Sequence, residues 1–259
     1  MDFSNYKFRC SQLKYLMTES RSSITELQLK RLEELSKKEY LTEKQKDELN
    51  KLIDKKDKKE LGDTVKNHLL DVYISKVFGR NSDIHSRFIE KGNEVEELSI
   101  TLYSNILNQY LKKNEQHFEN DFIRGTPDIV TDIIIDTKSS WDIFTFGKSK
   151  GKTGEYYWQM QGYMELCDKE IANVVYCLVS TPDSLIEREI NKIIYSGGIN
   201  LRLDEFRKEL DEIYKHYRYD DIPIEKRYHI DMIKRDRQAI SKLYKRIGEC
   251  REYLNSINW

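Results

Sequence analysis

Residues 124–140 constrain the fold of this chain more than any other stretch. Two short runs in it favour β-strands, and the second, residues 133–135, is β-branched and apolar, as in a buried strand. Because side chains alternate along a strand, Asp136 and Lys138 are predicted to share one face, while Thr137 points away. The stretch therefore predicts a hairpin whose second strand ends in charged residues.

Charged groups beside a buried strand need compensation. Asp128 lies in the first half of the hairpin, so two carboxylates and one lysine are predicted to converge at its end. Carboxylate oxygens favour Mg²⁺ or Mn²⁺ among divalent cations. The alternative is a solvated hairpin end with one ordinary ion pair, so the motif needs support from elsewhere in the chain.

Size and charge limit the classes of protein that fit. The 259 residues suffice for one large domain or a domain with an appendage. The net charge of −1 gives no global field that would attract nucleic acid, so DNA binding would need a local basic patch. No apolar run approaches the ~20 residues of a membrane span, and no signal peptide is visible. A cytoplasmic protein that does not contact membranes is expected.

Helices are predicted on both sides of the hairpin. Residues 24–60 favour a helical hairpin with a thin apolar stripe, and a third helix is predicted from about residue 63 to Gly79. Residues 201–218 and 231–254 also favour helices. The basic positions of the last helix could line a DNA channel or simply face solvent, and the lysines of residues 24–60 leave the same choice open.

A long amphipathic helix is predicted to open at Lys91. Glu96 begins one apolar row of this helix and is expected to face inward, whereas Glu97 is expected to face water. Glu94 and Glu97 are expected to make only helix-dipole contacts. Glu96 is predicted to be a metal ligand, the alternative being a contact with the helix dipole. The two apolar rows are Val95, Leu98, Leu102 and Ile106, and Ile100, Tyr103 and Leu107.

Two further segments bear on function. Residues 147–154 end like a phosphate-binding P-loop, but the first glycine stands one residue too close, so a flexible basic loop is favoured. Its lysines would contact DNA phosphates, or the loop is an unremarkable surface loop. In residues 156–163, Gln159 and Tyr163 are four apart and would share a helix face, in a functional site or in an aromatic core helix. A central strand is predicted over residues 171–179, followed by a helix.

These elements together resemble the PD-(D/E)xK nuclease superfamily, in particular its lambda-exonuclease, YqaJ and RecB-like members. The chain departs from the commoner pattern because its second acid is aspartate rather than glutamate. The matching motifs, in family order, are G-x-x-x-E at Gly92 and Glu96, P-D at Pro127-Asp128, D-x-K at Asp136 to Lys138, and Q-x-x-x-Y at Gln159 and Tyr163, with a Q-x-Q run at Gln159 and Gln161.

The resemblance implies an α/β fold with a restriction-endonuclease-like core, a small mixed sheet flanked by helices. The core would occupy residues 86–200, between an N-terminal helical region at 1–85 and C-terminal helices at 201–259. The implied activity is a metal-dependent deoxyribonuclease, most simply an exonuclease on linear duplex DNA in recombination or DNA processing. The alternatives are a structure-selective endonuclease or a catalytically inactive DNA-binding or assembly module.

The resemblance also implies roles for individual residues. The metal would be Mg²⁺, with Mn²⁺ as an alternative, bound by Glu96, Asp128, Asp136 and the carbonyl of Thr137. Lys138 would orient or help deprotonate the attacking water, and Gln159 would orient the water or a phosphate. The predicted DNA contacts are Arg124, Lys148, Lys150, Lys152, Gln161 and Tyr163.

Some relatives carry an iron–sulfur cluster on closely spaced cysteines. Here none of the four cysteines forms a C-x-x-C pair, so no cluster is expected and the thiols are predicted to be reduced. The implied partners are DNA, a single-strand annealing protein and further copies of the chain in a homo-oligomer.

Overall fold

The structure is a computed structural model that describes residues 1–19, 24–57, 61–81, 87–151, 154–195 and 203–259. Its α-helices are α1 Leu13–Leu16, α2 Glu26–Ser36, α3 Glu43–Asp57, α4 Asp63–Phe78, α5 Arg87–Leu107, α6 Ile143–Ser149, α7 Tyr157–Cys167, α8 Asp183–Tyr195, α9 Leu203–Tyr217 and α10 Arg237–Ser256. Its strands are β1 Phe8–Arg9, β2 Phe118–Glu119, β3 Ile123–Gly125, β4 Ile129–Val130, β5 Ile134–Ser139, β6 Ile171–Cys177 and β7 Tyr228–Lys234. Short 3₁₀ turns occur at Cys10–Gln12 and Ile224–Lys226.

The chain divides into two compact units whose boundaries differ from those predicted. The first unit contains Met1–Tyr6, Lys14–Asn81 and Lys242–Trp259, and the second contains Lys7–Leu13 and Ser82–Ser241. The described residues 203–241 therefore belong to the second unit, and the boundary that was predicted at residue 201, before C-terminal helices packed on the core, lies after Ser241 instead. Sequence periodicity did not reveal this division, because it reports the face of each helix and not the unit against which that face packs.

The first unit contains the predicted helical hairpin. Thr25 caps α2, because its side chain accepts a hydrogen bond from the Gln28 backbone and the Gln28 side chain accepts one from the Thr25 backbone. The apolar stripe buries Leu32, Leu35 and Leu52 in one cluster. α4 ends at Gly79, whose φ of 65° is the left-handed conformation that favours glycine at a helix C-terminus.

The second unit is built on a four-stranded sheet in the order β4-β5-β6-β7. The central strands β5 and β6 are parallel, and each edge strand is antiparallel to its neighbour. Ile134 and Ile135 on β5 are buried, as the apolar run predicted. A second, three-stranded sheet has the order β1-β3-β2, with β1 parallel to β3.

Strand β7 corrects the prediction of a helix from residue 231. Its seven residues pair with β6 from Ile171 opposite Lys234 to Cys177 opposite Tyr228. α10 begins only at Arg237, after Asp236 accepts hydrogen bonds from the backbones of residues 238 and 239. Pairing with a central strand therefore overrides the helical preference of this segment.

Helix α5 and the segment after β5 also differ from the prediction. α5 begins at Arg87, so Glu96 lies in its third turn, and Leu98, predicted to be apolar core, is 54% exposed. The predicted loop after β5 contains α6, which is capped by Asp142 accepting a hydrogen bond from the Thr145 backbone at 2.6 Å. In the ranges described above, no helix is long and apolar enough to cross a membrane.

Candidate active site

Strands β4 and β5 bring the two hairpin aspartates together. Ile129 pairs with Ile135, which places Asp128 opposite Asp136 one position further along the ladder. Asp128 Oδ2 accepts hydrogen bonds from the backbone nitrogen of Thr137 at 2.7 Å and from its hydroxyl at 2.8 Å. Thr137, predicted to point away from the site, therefore holds Asp128 in place, and both of these bonds use the same carboxylate oxygen of Asp128.

The carbonyl of Thr137 faces the same edge of β5 as its N–H. In a strand the N–H and C=O of one residue point to the same side, and the N–H of Thr137 is directed at Asp128. The carbonyl is thus directed toward the Asp128 side and not toward β6. This orientation suits its predicted role as a metal ligand.

Asp136 and Lys138 share a face of β5, as predicted, and form an ion pair with Oδ2 and Nζ 2.5 Å apart. The Asp136 side chain is 1% exposed and that of Lys138 25%. Asp136 Oδ2 is buried, and the Lys138 ammonium is its partner. Lys138 Nζ also lies 5.0 Å from the centre of the Tyr156 ring. The pair is therefore a largely buried ion pair in which one lysine compensates the charge of Asp136.

The charges of Asp128 and Glu96 affect the protonation of this pair. Burial raises the pKa of Asp136 to about 7; Lys138 opposes the rise, whereas Asp128 and Glu96 add to it. Burial lowers the pKa of Lys138, but the carboxylates of Asp136 and Asp128 outweigh burial and hold that pKa above its ordinary value. Lys138 is consequently a firmly protonated cation in this arrangement.

Glu96 on α5 completes the acidic group. Its side chain is 27% exposed, whereas Glu94 and Glu97 are exposed, as was predicted for Glu97. Glu96 forms an ion pair with Lys113, whose Nζ lies 2.9 Å from Oε2. The side-chain hydrogen bond to Glu96 raises the pKa of Lys113. Lys113 was missed by sequence reasoning because it lies outside every motif.

The donor set fits a divalent cation, although each acid is turned toward another partner. Within the described ranges, no three side chains of the His, Cys, Asp or Glu type converge as a ready-made metal site. Yet the burial of Asp136 and the mutual repulsion of three carboxylates both call for positive charge. An all-oxygen donor set matches Mg²⁺ or Mn²⁺. A cation bound here would take over charge compensation from Lys138 and Lys113.

Helix α7 carries Gln159 and Tyr163 to the same site. Gln159 is 9% exposed, and its Nε2 lies 3.4 Å from Asp136 Oδ1 and 3.2 Å from the Tyr163 hydroxyl. Burial raises the pKa of Tyr163, and the Asp136 charge adds to that rise, so the phenol stays protonated. The predicted pairing of these two residues on one helix face is confirmed.

Gln161 is a correction to the predicted DNA contacts. It is fully buried, its Nε2 donates to the Lys234 carbonyl at 2.8 Å, and its Oε1 accepts from the Asp236 backbone at 2.8 Å. Both ends of the amide are therefore hydrogen-bonded to the backbone at the end of β7 and just after it. The structure places Gln161 in the packing of the second unit and leaves it no group to offer to DNA.

A pocket of ≈ 290 Å³ opens beside Tyr163. Arg9 and Arg124 stand opposite each other on β1 and β3, so two cations are neighbours there. The Nε of Arg124 is buried and has no hydrogen-bond partner among the described residues. The pocket is thus suited to an anion, and it is lined by Arg9, Cys10, Ser11, His117, Arg124, Gly125, Thr126 and Tyr163.

The predicted basic loop at residues 147–154 begins inside helix α6. Lys148 lies in the last turn of α6 and Lys150 just after it, and both are exposed. Lys152 lies outside the residues that the structure describes. The predicted contacts of these lysines with DNA stay predictions.

Sequence reasoning missed several residues that line the site. Tyr156 was noted only as an aromatic, yet its ring lies under Lys138. Arg9 and Ser11 lie outside every sequence motif, and the pairing of β1 with β3 brings them to the pocket. Tyr156 could have been identified from its position three residues before Gln159. The pairing of β1 with β3 could not, because no local sequence pattern identifies a distant strand partner.

No protein-family model matches this chain, and no curated protein matches it either. Among solved structures, it is similar to a phage-related exonuclease from Haemophilus somnus 129PT, with a TM-score of 0.68 and 26% identity over 97% of this chain and 94% of that one. It also shares its fold with an alkaline exonuclease from Laribacter hongkongensis, LHK-Exo, with a TM-score of 0.56 and 11% identity over 98% and 90% of the two chains. LHK-Exo in complex with dAMP aligns with a TM-score of 0.55 and 12% identity, over 96% of this chain and 88% of that one. The mixed α/β architecture is therefore that of these exonucleases, as the predicted fold class required.

Proposed function

We propose that this protein is a metal-dependent deoxyribonuclease of the PD-(D/E)xK type that degrades linear duplex DNA as an exonuclease. The observation that carries the proposal is the buried Asp136 carboxylate, with Lys138 against it and Asp128 and Glu96 close enough to raise its pKa. The likeness to a phage-related exonuclease over nearly the whole of both chains supports the same activity.

Glu96, Asp128, Asp136 and the Thr137 carbonyl would hold Mg²⁺ or Mn²⁺. When bound, such an ion supplies a water of lowered pKa and neutralises charge on the phosphodiester. Lys138, kept protonated by its carboxylate neighbours, donates a hydrogen bond to the attacking water or to the phosphate. Its raised pKa favours this role over that of a general base. Gln159 Nε2 contacts Asp136 and Tyr163, and the amide oxygen of the same side chain would orient water.

The pocket beside Tyr163 would bind a phosphate of the DNA strand. Arg9 and Arg124 repel each other across β1 and β3, and an anion between them removes that repulsion. The buried Arg124 Nε would gain the acceptor that it lacks. Backbone recognition of this kind carries no sequence information, so degradation without sequence preference is expected. Lys148 and Lys150 would add further phosphate contacts.

Digestion of end-labelled linear duplex in Mg²⁺, with closed circular duplex alongside, tests this function. The exonuclease predicts loss of the linear substrate only, and none in EDTA. Cutting of circles would instead support the structure-selective endonuclease, and an absence of cleavage with intact DNA binding would support the inactive module. A single-strand annealing partner and a homo-oligomer stay predictions of the family resemblance.

The variant Lys138→Ala identifies the site responsible. Loss of one positioned donor to a developing charge lowers the rate by about 100-fold or more. The matched control is Lys112→Ala, because Lys112 is exposed on the segment that carries Lys113 and belongs to no part of the site. If Lys138→Ala cleaves as fast as the unaltered protein, the proposed chemistry is wrong.

A further inference from the structure

Lys91 is a buried lysine that the chemistry above does not use. Its side chain is 1% exposed, and Nζ donates hydrogen bonds to the carbonyls of Ser140 at 2.8 Å and Trp141 at 2.9 Å. The same nitrogen lies 5.9 Å from the centre of the Trp141 ring and 5.8 Å from that of Tyr219. Burial lowers the pKa of Lys91 to about 7, so its position is costly for a charged group.

The two carbonyls that accept hydrogen bonds from Lys91 show which elements the lysine connects. Ser140 follows directly on β5, the strand of Asp136 and Lys138. Lys91 itself lies on α5, five residues before Glu96. A single ammonium therefore ties the first part of α5 to the segment that follows the two β5 site residues.

Ser99 forms a second tie between the same two elements. It is fully buried, and its hydroxyl lies 2.7 Å from the hydroxyl of Ser139, the last residue of β5. Lys91 and Ser99 stand on either side of Glu96 along the helix. Apolar packing between α5 and the sheet permits sliding along the helix axis, whereas two directional polar contacts on either side of Glu96 fix the axial position.

We infer that Lys91 and Ser99 are positioning residues that set Glu96 against the carboxylates of β5 and thereby determine the affinity of the site for a divalent cation. This inference rests on the proposed metal-dependent function. Groups outside the ligand set that orient ligands commonly change metal affinity by about 10- to 100-fold when removed. The effect should appear in metal binding even when the fold is intact.

Mn²⁺ binding, followed by the loss of the free Mn²⁺ signal in electron paramagnetic resonance, tests this inference without cleavage. Lys91→Met keeps an unbranched side chain one atom shorter beside Trp141 and Tyr219 and removes the hydrogen-bond donors. Its Mn²⁺ dissociation constant is expected to rise by about tenfold, and its slowed cleavage should recover at high Mn²⁺. Thr101→Ala, which removes an exposed hydroxyl bonded to Glu97 on the same helix, is the matched control and should bind as the unaltered protein does.

Three results would overturn the inference or its premise. If Lys91→Met folds, as judged by circular dichroism, and binds Mn²⁺ within twofold of the unaltered protein, Lys91 does not position the site. If Lys91→Met does not fold, Ser99→Ala carries the same test, since it removes one hydroxyl only, and unchanged affinity there refutes the inference. If the unaltered protein binds no Mn²⁺ and cleaves no DNA, the proposed function fails together with the inference.

Discussion

Gln159 and Gln161 show how residues two apart in one motif can serve different ends. Both are buried on α7, and in the sequence both belong to the run that resembles exonucleases. Gln159 touches Asp136 and Tyr163, whereas Gln161 binds the backbone on either side of residue 235. The motifs predicted the neighbours of Gln159, because Asp136 and Tyr163 lie within those motifs, and its role in cleavage stays a prediction. The backbone partners of Gln161 could not be predicted, because part of β7 was predicted as helix.

Substitution of each glutamine by alanine separates the two roles. Gln161→Ala leaves the Lys234 carbonyl and the Asp236 N–H without partners, and each buried unsatisfied group costs about 1–3 kcal/mol of unfolding free energy. Gln159→Ala should reduce cleavage far more than stability. Denaturant unfolding and steady-state cleavage on the same two variants check this. A Gln161→Ala protein as stable as the unaltered chain would contradict the packing role assigned here.

At the scale of elements, helix ends were easier to predict from the sequence than the pairing of strands. Caps and breakers such as Thr25 and Gly79 mark helix ends through local hydrogen bonds or backbone conformation, and the structure has those helices where they were predicted. Strands β1 and β7 depend on partners more than 50 residues away along the chain. No local pattern in a single sequence reports such a partner, so the pocket and the last edge strand were missed.

The approach of α7 to the Cys10–Gln12 turn depends on one glycine. A Cβ at Gly162 would lie 2.8 Å from Cys10 Sγ and 2.9 Å from Leu13 Cδ1, and both side chains are buried. Gly162→Ala should therefore lower the unfolding free energy, because overpacking typically costs about 1–3 kcal/mol and exceeds the gain in helix propensity. Thermal unfolding measures the change.

Gly92→Ala is the matched control for this substitution. Gly92 also lies inside a helix, but its Cβ would meet nothing within 4 Å. Alanine there should stabilise the protein by up to about 1 kcal/mol, since glycine is a poor helix former. Opposite signs for the two variants are expected. Equal effects would mean that the close approach at Gly162 does not limit packing.

At the scale of the whole molecule, the net charge of −1 says nothing about the positions of individual charges. Two ionisable residues of opposite sign, Asp136 and Lys91, are buried. Asp136 lies at the centre of the proposed metal site, and Lys91 connects α5 to the segment after β5 by hydrogen bonds. Composition predicted only that any DNA contact must be local. Where the charges lie was predictable for Asp136, since its strand and motif are local, and not for Lys91, whose acceptors are 49 and 50 residues away.

These two groups should give the metal-free protein an unusual dependence of stability on pH. The pKa of Asp136 is about 7 in the folded protein, above the ~3.9 of an unfolded aspartate. The folded state therefore binds more protons between those values, and this contribution to stability falls as the pH rises from about 4 to 7. The pKa of Lys91 is also about 7, below the ~10.4 of an unfolded lysine. There the unfolded state binds more protons, so this contribution rises from about pH 7 to 10.

The test is to measure the thermal stability of the unaltered protein, Asp136→Asn and Lys91→Met between pH 4 and 10 in EDTA. The difference in stability between the unaltered protein and each variant gives the contribution of that residue. Relative to Asp136→Asn, the unaltered protein should lose stability up to pH 7, and relative to Lys91→Met it should gain stability above pH 7. Each difference should reach a few kcal/mol, since a tenfold change in a proton-binding constant is worth about 1.4 kcal/mol. Mg²⁺ binds the ionised carboxylate, so its stabilising effect should grow as the pH rises toward 7 and should be lost in Asp136→Asn. If the curves of Asp136→Asn and the unaltered protein run parallel with and without Mg²⁺, Asp136 is not the group at which protons and metal compete.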